Sequence, residues 1–125
     1  MILVDTSVWI DHFRAEGRAE ALTGLLEAEE VVLHPWVMGE LALGHLGRAR
    51  GQILSDVRLL PTVEPVPDDE VLSMIEARRL WGTVLGWVDA GLLAAALAAG
   101  VSLWTLDGPL GRAAELCEIR FPADG

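Results

Sequence analysis

The chain has 125 residues, enough for one domain with a real core and too few for two. Its nine cations, all arginine, face nineteen carboxylates for a formal net charge of -10, which excludes a basic coat that holds polyanions by bulk charge. An apolar fraction of 52% with a mean hydropathy of +0.39 excludes a disordered acidic tail, so the chain must fold.

Residues 1–4 are aliphatic, with β-branched members, and end on Asp5-Thr6-Ser7, residue types that compete for helix N-caps. This predicts a buried strand running into a helix over 7–14, with Val8, Trp9 and Phe13 apolar and Gly17 as the break. A second helix is expected over 18–28, with Leu22, Leu25 and Leu26 on one side. Val31-Val32-Leu33 reads as a second strand, and His34-Pro35 opens a helix over 36–45 that carries Glu40 in its middle. A helix over 48–60 closes at Pro61, and the prolines of 62–67 keep that stretch extended. Asp68 or Asp69 caps a helix reaching about Trp81, followed by a loop over 82–86. Residues 88–99 form an alanine- and leucine-rich helix with almost no polar face, predicted buried and stopped by Gly100. The third strand, 101–106, ends on Asp107, with a last helix over 109–116 and an edge strand over 118–121.

Strands alternating with helices, the strands apolar without a period of two, predict an α/β class: one domain over 1–125 with a parallel sheet covered on both faces. Ligands of such sheets bind outside the carboxyl ends of the strands. Asp5 and Asp107 close the first and third strands, while Glu40 and Asp89 lie on helices that border the same rim. Each has a plainer reading alone: Asp5 and Asp107 as helix caps, Asp89 as a first-turn acid, Glu40 as a solvated helix residue. Together, four carboxylates in one crevice would repel one another, and a hard divalent cation resolves the conflict. Acids without histidine favour Mg²⁺, with Mn²⁺ as the alternative, and point to metal-assisted phosphodiester hydrolysis.

Other candidates carry less. His12, His34 and His45 lack metal-ligand spacing and read as surface or interface residues, with His45 able to approach the crevice from its helix end. Cys117, the one cysteine, reads as a small buried hydrophobe, so nothing calls for an oxidising compartment. Trp36 and Trp81 stand near helix ends and read as interface residues. Arginines 14, 18, 48, 50, 78, 79 and 112 are candidates to bracket a nucleic acid. Two rival functions stay open: a non-enzymatic acidic interaction module, and an aspartyl phosphohydrolase. The latter class generally needs a second Asp two residues after the first, where Ser7 stands.

The motifs Asp5-Thr6-Ser7-Val8-Trp9-Ile10, Glu40-Leu41-Ala42-Leu43-Gly44-His45, Val88-Asp89-Ala90-Gly91-Leu92-Leu93-Ala94-Ala95 and Leu103-Trp104-Thr105-Leu106-Asp107 resemble, in order and spacing, those of the PIN-domain ribonucleases. Within that family the chain is similar to the VapC-type toxins of bacterial toxin-antitoxin pairs. The resemblance runs from Met1 to about Phe121. It implies a PIN-like three-layer α/β/α sandwich with a mostly parallel sheet, and a Mg²⁺-dependent endoribonuclease. By resemblance Asp5 and Asp107 bind metal directly, Asp89 binds it directly or through water, and Glu40 holds or activates a water. Thr6 and Thr105 orient these carboxylates. The resemblance also implies an RNA substrate, a cognate antitoxin seated in apolar grooves and a homodimer. After Asp107 the chain departs from the family pattern: Gly108-Pro109 follow, and the next basic residue is Arg112. The start meets Asp5 after four residues without the basic and longer apolar run of a signal peptide, and 88–101 is too short for a membrane span. The expected setting is the cytoplasm, away from membranes.

Overall fold

A computed structural model describes residues 1–14 and 21–122. Gly17 and Arg18, with the start of the second expected helix, lie outside the described residues. The elements are β1 (Ile2–Val4), α1 (Thr6–Phe13), α2 (Ala21–Glu27), β2 (Val31–Val32) and α3 (Pro35–Leu43). A 3₁₀ turn (Gly47–Ala49) leads into α4 (Arg50–Val57), and α5 (Asp68–Ala77), α6 (Trp87–Ala99), β3 (Ser102–Trp104) and α7 (Gly108–Leu116) follow.

The sheet order is β2-β1-β3, all parallel, with Leu3 opposite Val32 and Leu103. Single parallel bridges extend it at both edges, Leu33 with Thr62 and Leu103 with Arg120. The expected edge strand over 118–121 is therefore one bridge, fixed by hydrogen bonds from Leu103 N to Ile119 O and from Phe121 N to Leu103 O, both 2.8 Å. Leu3 and Val4 point to opposite faces of the central strand and both are fully buried, so helices cover both faces. The α/β expectation holds, with the first strand in the middle of the core.

Three helix ends differ from the sequence reading. The helix expected over 48–60 begins as the 3₁₀ turn and ends at Val57. The helix from Asp68 stops at Ala77 rather than Trp81, because Arg79 turns left-handed (φ 55°) and brings buried Leu80 back under Ile75, with Leu80 N bonded to Ile75 O at 3.0 Å. The helix before His45 ends at Leu43. Gly100, at φ 68°, ends α6 as expected. His34 is buried rather than superficial. Its Nδ1 accepts the Trp36 amide at 3.0 Å as the cap of α3, which puts the ring proton on Nε2, and burial lowers its pKa.

The contact that fixes α3 against α6 is between Trp36 and Gly91. A Cβ on Gly91 would lie 2.3 Å from Trp36 Cζ3, so only glycine lets the indole lie on α6 at this depth. Trp36 is half-buried on its own chain as a result, and its helix carries Glu40 while its partner carries Asp89. Gly91→Ala is expected to destabilise the fold by about 1–3 kcal/mol through overpacking. Gly51→Ala, in α4 with no atom within 4 Å of the new Cβ, is expected to stabilise it by up to about 1 kcal/mol. Urea unfolding of both variants checks the contrast in sign.

Candidate metal and nuclease site

The site is built where β1 and β3 end side by side. Asp5 N bonds Trp104 O at 2.9 Å, the last rung before both strands turn outward. The Asp5 side chain is buried, and its Oδ2 accepts three hydrogen bonds: Thr105 Oγ1 at 2.8 Å, Ser7 Oγ at 2.6 Å and, more weakly, Ser7 N at 3.4 Å. Among the described residues Oδ1 takes none. With both hydroxyl protons committed to Asp5, the 3.3 Å contact between Ser7 Oγ and Thr105 Oγ1 has no proton of its own.

Each hydroxyl then acts as an acceptor on its other side. Ser7 Oγ takes the Leu106 amide at 2.9 Å, and Thr105 Oγ1 takes the Asp107 amide at 3.0 Å. The turn after β3 is thereby shaped around the Asp5 carboxylate. Asp107 caps α7, its Oδ2 accepting Leu110 N at 3.1 Å, just as Asp5 caps α1. Cap and crevice acid are thus one and the same residue at both positions, because an N-cap at the end of a parallel strand already sits on the rim.

On the opposite side, Glu40 is exposed on α3, and Thr6 Oγ1 donates to its Oε1 at 2.5 Å, tying the start of α1 to α3. Asp89 stands half-buried in the first turn of α6. Its pKa is raised from 3.8 to about 6, first by desolvation and then by the negative charges of Asp5, Asp107 and Glu40. A first-turn position alone would favour the anion through the helix dipole, so burial and three like charges outweigh that dipole here. All four acids therefore share one electrostatic field. Among the described residues no three acidic, histidine or cysteine groups converge to the spacing of a preformed ligand cage. What fits a hard divalent cation is the donor chemistry: oxygen ligands only, with one carboxylate destabilised as an anion until a countercharge arrives.

The sequence reading missed the role of one residue and the posture of another. Ser7 there counted as a cap competitor and as the position where a second Asp is missing, yet its hydroxyl bridges Asp5 and Leu106; the usable signal was its spacing of two from an acid that ends a strand. Arg112, a candidate from the sequence without a place, stands five residues after Asp107, and its guanidinium folds back over Gly108, where a Cβ would lie 3.2 Å from Nη1. A cation therefore stands beside the turn after Asp107 even though residues 108 and 109 carry none. His45 lines a pocket with Ile10, Phe13, Arg14, Leu46 and Gly47 rather than the acid cluster.

Comparison with known proteins gives the family. The PIN domain family matches residues 2–116. Ribonuclease VapC32 of Mycobacterium tuberculosis is 50% identical over 109 residues, covering 86% of this chain and 85% of that protein. Among solved structures, FitAcB from Neisseria gonorrhoeae superposes with a TM-score of 0.67 at 22% identity, over 92% of this chain and 94% of that one. PAE2754 from Pyrobaculum aerophilum gives 0.63 at 20% identity, over 94% and 93%. These last two show a shared fold.

The charge on Asp89 has a measurable consequence. Between pH 3.8 and about 6 the folded chain keeps a proton on Asp89 that the unfolded chain has lost, so this group's contribution to stability falls as pH rises through that window. In EDTA, Asp89→Asn is expected to raise stability at pH 7.5 by about 1 kcal/mol, allowing for solvent screening of a half-buried group. The gain should shrink to nothing near pH 4, as read by thermal melts across the range. The geometry and the two matches lead to one assignment: the chain belongs to the PIN-domain family and, within it, to the VapC ribonucleases.

Proposed function

We propose that this protein is the toxin of a toxin-antitoxin pair, an endoribonuclease that hydrolyses RNA phosphodiester bonds with a divalent metal ion. The observation that carries the reading is the joining of Asp5 and Asp107 at adjacent strand ends through Ser7 and Thr105. Asp5, Asp89 and Asp107 are the proposed metal ligands, with Glu40 as an outer ligand through water. Mg²⁺ is the proposed ion and Mn²⁺ a working substitute, because the donors are all carboxylate oxygens. When bound, the ion supplies positive charge to the phosphodiester and eases deprotonation of the attacking water.

The chain's own residues do the rest. Ser7 and Thr105 hold Oδ2 of Asp5, which directs the ligand role to Oδ1. Thr6 holds Oε1 of Glu40, which leaves Oε2 to receive a proton from the attacking water. Water adds to phosphorus, one ester P–O bond breaks, and the leaving oxygen departs on one of the two RNA fragments. Ser7 bears against the aspartyl phosphohydrolase alternative: its hydroxyl is a support of Asp5, and no acid occupies that place.

The antitoxin has a candidate seat. A pocket of about 210 Å³ on α1, α2 and α4 is lined by Trp9, Phe13, Leu26, Ile53, Val57 and Leu60, and suits an apolar segment of a partner. Exposed Trp81 and Trp87 line one pocket with Ile75, Leu80 and Leu85, an apolar site that supports a homodimer. No described helix is long and apolar enough to cross a membrane. The cytoplasm, where RNA is abundant, is the proposed place of action.

Asp5→Asn and Asp107→Asn are expected to leave the far-ultraviolet circular dichroism unchanged while lowering cleavage of bacterial transfer and ribosomal RNA by more than about 100-fold. Thr105→Val, which removes a support and no ligand, is expected to cost about 10- to 100-fold. Calorimetric titration with Mn²⁺ should show stoichiometric binding to the native chain and loss of it in Asp107→Asn. Full cleavage by Asp5→Asn and Asp107→Asn alike would overturn the reading.

A further inference from the structure

Behind Thr105 lies a pocket of about 470 Å³ lined by Thr105, Leu106, Glu115, Arg120, Phe121 and Pro122. It adjoins the acid cluster directly, because Thr105 is the residue that hydrogen-bonds Asp5. The volume is that of a small-molecule site. Its one cation, Arg120, was not among the arginines singled out in the sequence. The backbone of Arg120 is pinned as the outermost bridge of the sheet, partner to Leu103. The guanidinium is laid against α7 over Gly111, where a Cβ would come within 3.0 Å of Cζ and Nη2. Its charge is barely used: a single 3.3 Å contact joins Nη1 to exposed Glu115, a pair worth little in solvent. The remaining donors of the fork are free for a ligand among the described residues. Beside it, Phe121 rests at 5.2 Å on the ring of buried Trp104, a stiff apolar wall.

We infer that this pocket holds one nucleotide of the RNA next to the cleaved phosphodiester, with the Arg120 guanidinium on its phosphate and Phe121 with Leu106 against its base. The inference rests on the ribonuclease reading above. Chemistry favours a nucleotide over a plain anion, since cation and aromatic wall occur together, the pairing by which single strands are held. In a chain of net charge -10, a strand that must reach the acids needs such a local anchor. Glu115 competes with the phosphate for Arg120, so the pocket exchanges an internal ion pair for a substrate contact. Gly111 is part of the device, because it lets the guanidinium lie close enough to α7 to face the pocket.

The test uses the full chain with Asp5→Asn in EDTA and a fluorescently labelled twelve-residue oligouridylate, followed by anisotropy. Adding Arg120→Ala is expected to weaken binding by about 10- to 100-fold and to lower the slope of log affinity against log salt by about 0.7. Gly111→Ala keeps the charge but displaces the guanidinium, and should weaken binding in the same direction with the fold intact. Glu115→Gln should tighten it. An abasic twelve-residue strand should bind less well than the oligouridylate and lose its sensitivity to Phe121→Ala. Binding that stays within twofold in Arg120→Ala, or that is absent from the parent chain, overturns the pocket. The two readings separate in cleavage of bacterial transfer RNA with Mn²⁺: an unchanged KM in Arg120→Ala alongside a dead Asp107→Asn removes the pocket alone. Activity in Asp107→Asn removes the ribonuclease reading beneath it.

Discussion

The structure turns on one buried carboxylate. Asp5 ends the central strand, and a charge in that position is costly unless it is fully hydrogen-bonded. Ser7 and Thr105 meet that need from opposite directions, one from the helix that Asp5 caps and one from the neighbouring strand. Because each hydroxyl accepts an amide as well as donating a proton, satisfying Asp5 also dictates the path of residues 105–107. The position of Asp107 follows from the solvation of Asp5. Two acids separated by more than a hundred residues in the chain are coupled through two hydroxyl groups, and a loss at either hydroxyl would be felt at both acids.

The other two acids depend on packing. Glu40 and Asp89 sit on α3 and α6, whose separation is set by an indole lying on a glycine, Trp36 on Gly91. Thr6 adds a polar tie from α1 to Glu40. The site is thus closed by two unlike devices: hydrogen bonds at the sheet end and close van der Waals contact between helices. The second device matters because Asp89 is pushed away from its charged form by burial and then by its three acidic neighbours. A looser pair of helices would let the acids drift apart and relieve the repulsion. A tight one preserves it, and preserves with it the attraction for a countercharge.

Much of this was legible in the chain. Apolar runs ending in Asp at residues 5 and 107 mark both the strands and the rim, and the nearly uniform apolarity of 88–99 marks a buried helix. The cap reading and the crevice reading of Asp5 and Asp107 did not have to be chosen between, since the structure uses each acid for both. What stayed hidden has a common physical character. Gly91 matters for what lies against it, a residue 55 positions earlier. Ser7 matters for a strand end nearly a hundred residues later. The early end of α5 depends on Leu80 returning to the core through a left-handed Arg79, where helix propensity would have continued. Periodicity reports which face of an element is apolar, and is silent on which distant backbone will press on it.

Acidity, the first property of the chain, looks different from the finished site. Set aside the four crevice acids and fifteen carboxylates still face nine arginines, so net charge does not draw RNA to this molecule. Attraction has to be local, and the structure offers cations beside the crevice in defined postures: Arg112 folded over Gly108, and Arg120 over Gly111. Both are seated on glycines of α7, the helix that Asp107 caps. The same helix therefore carries a crevice carboxylate on its cap and Arg112 in its body, while the Arg120 guanidinium lies against it from the sheet edge. On the proposed reading, a strand drawn in by those arginines is delivered to the acids. On that reading the overall charge acts as a filter, suppressing unspecific contact with polyanions while local cations beside the crevice admit one.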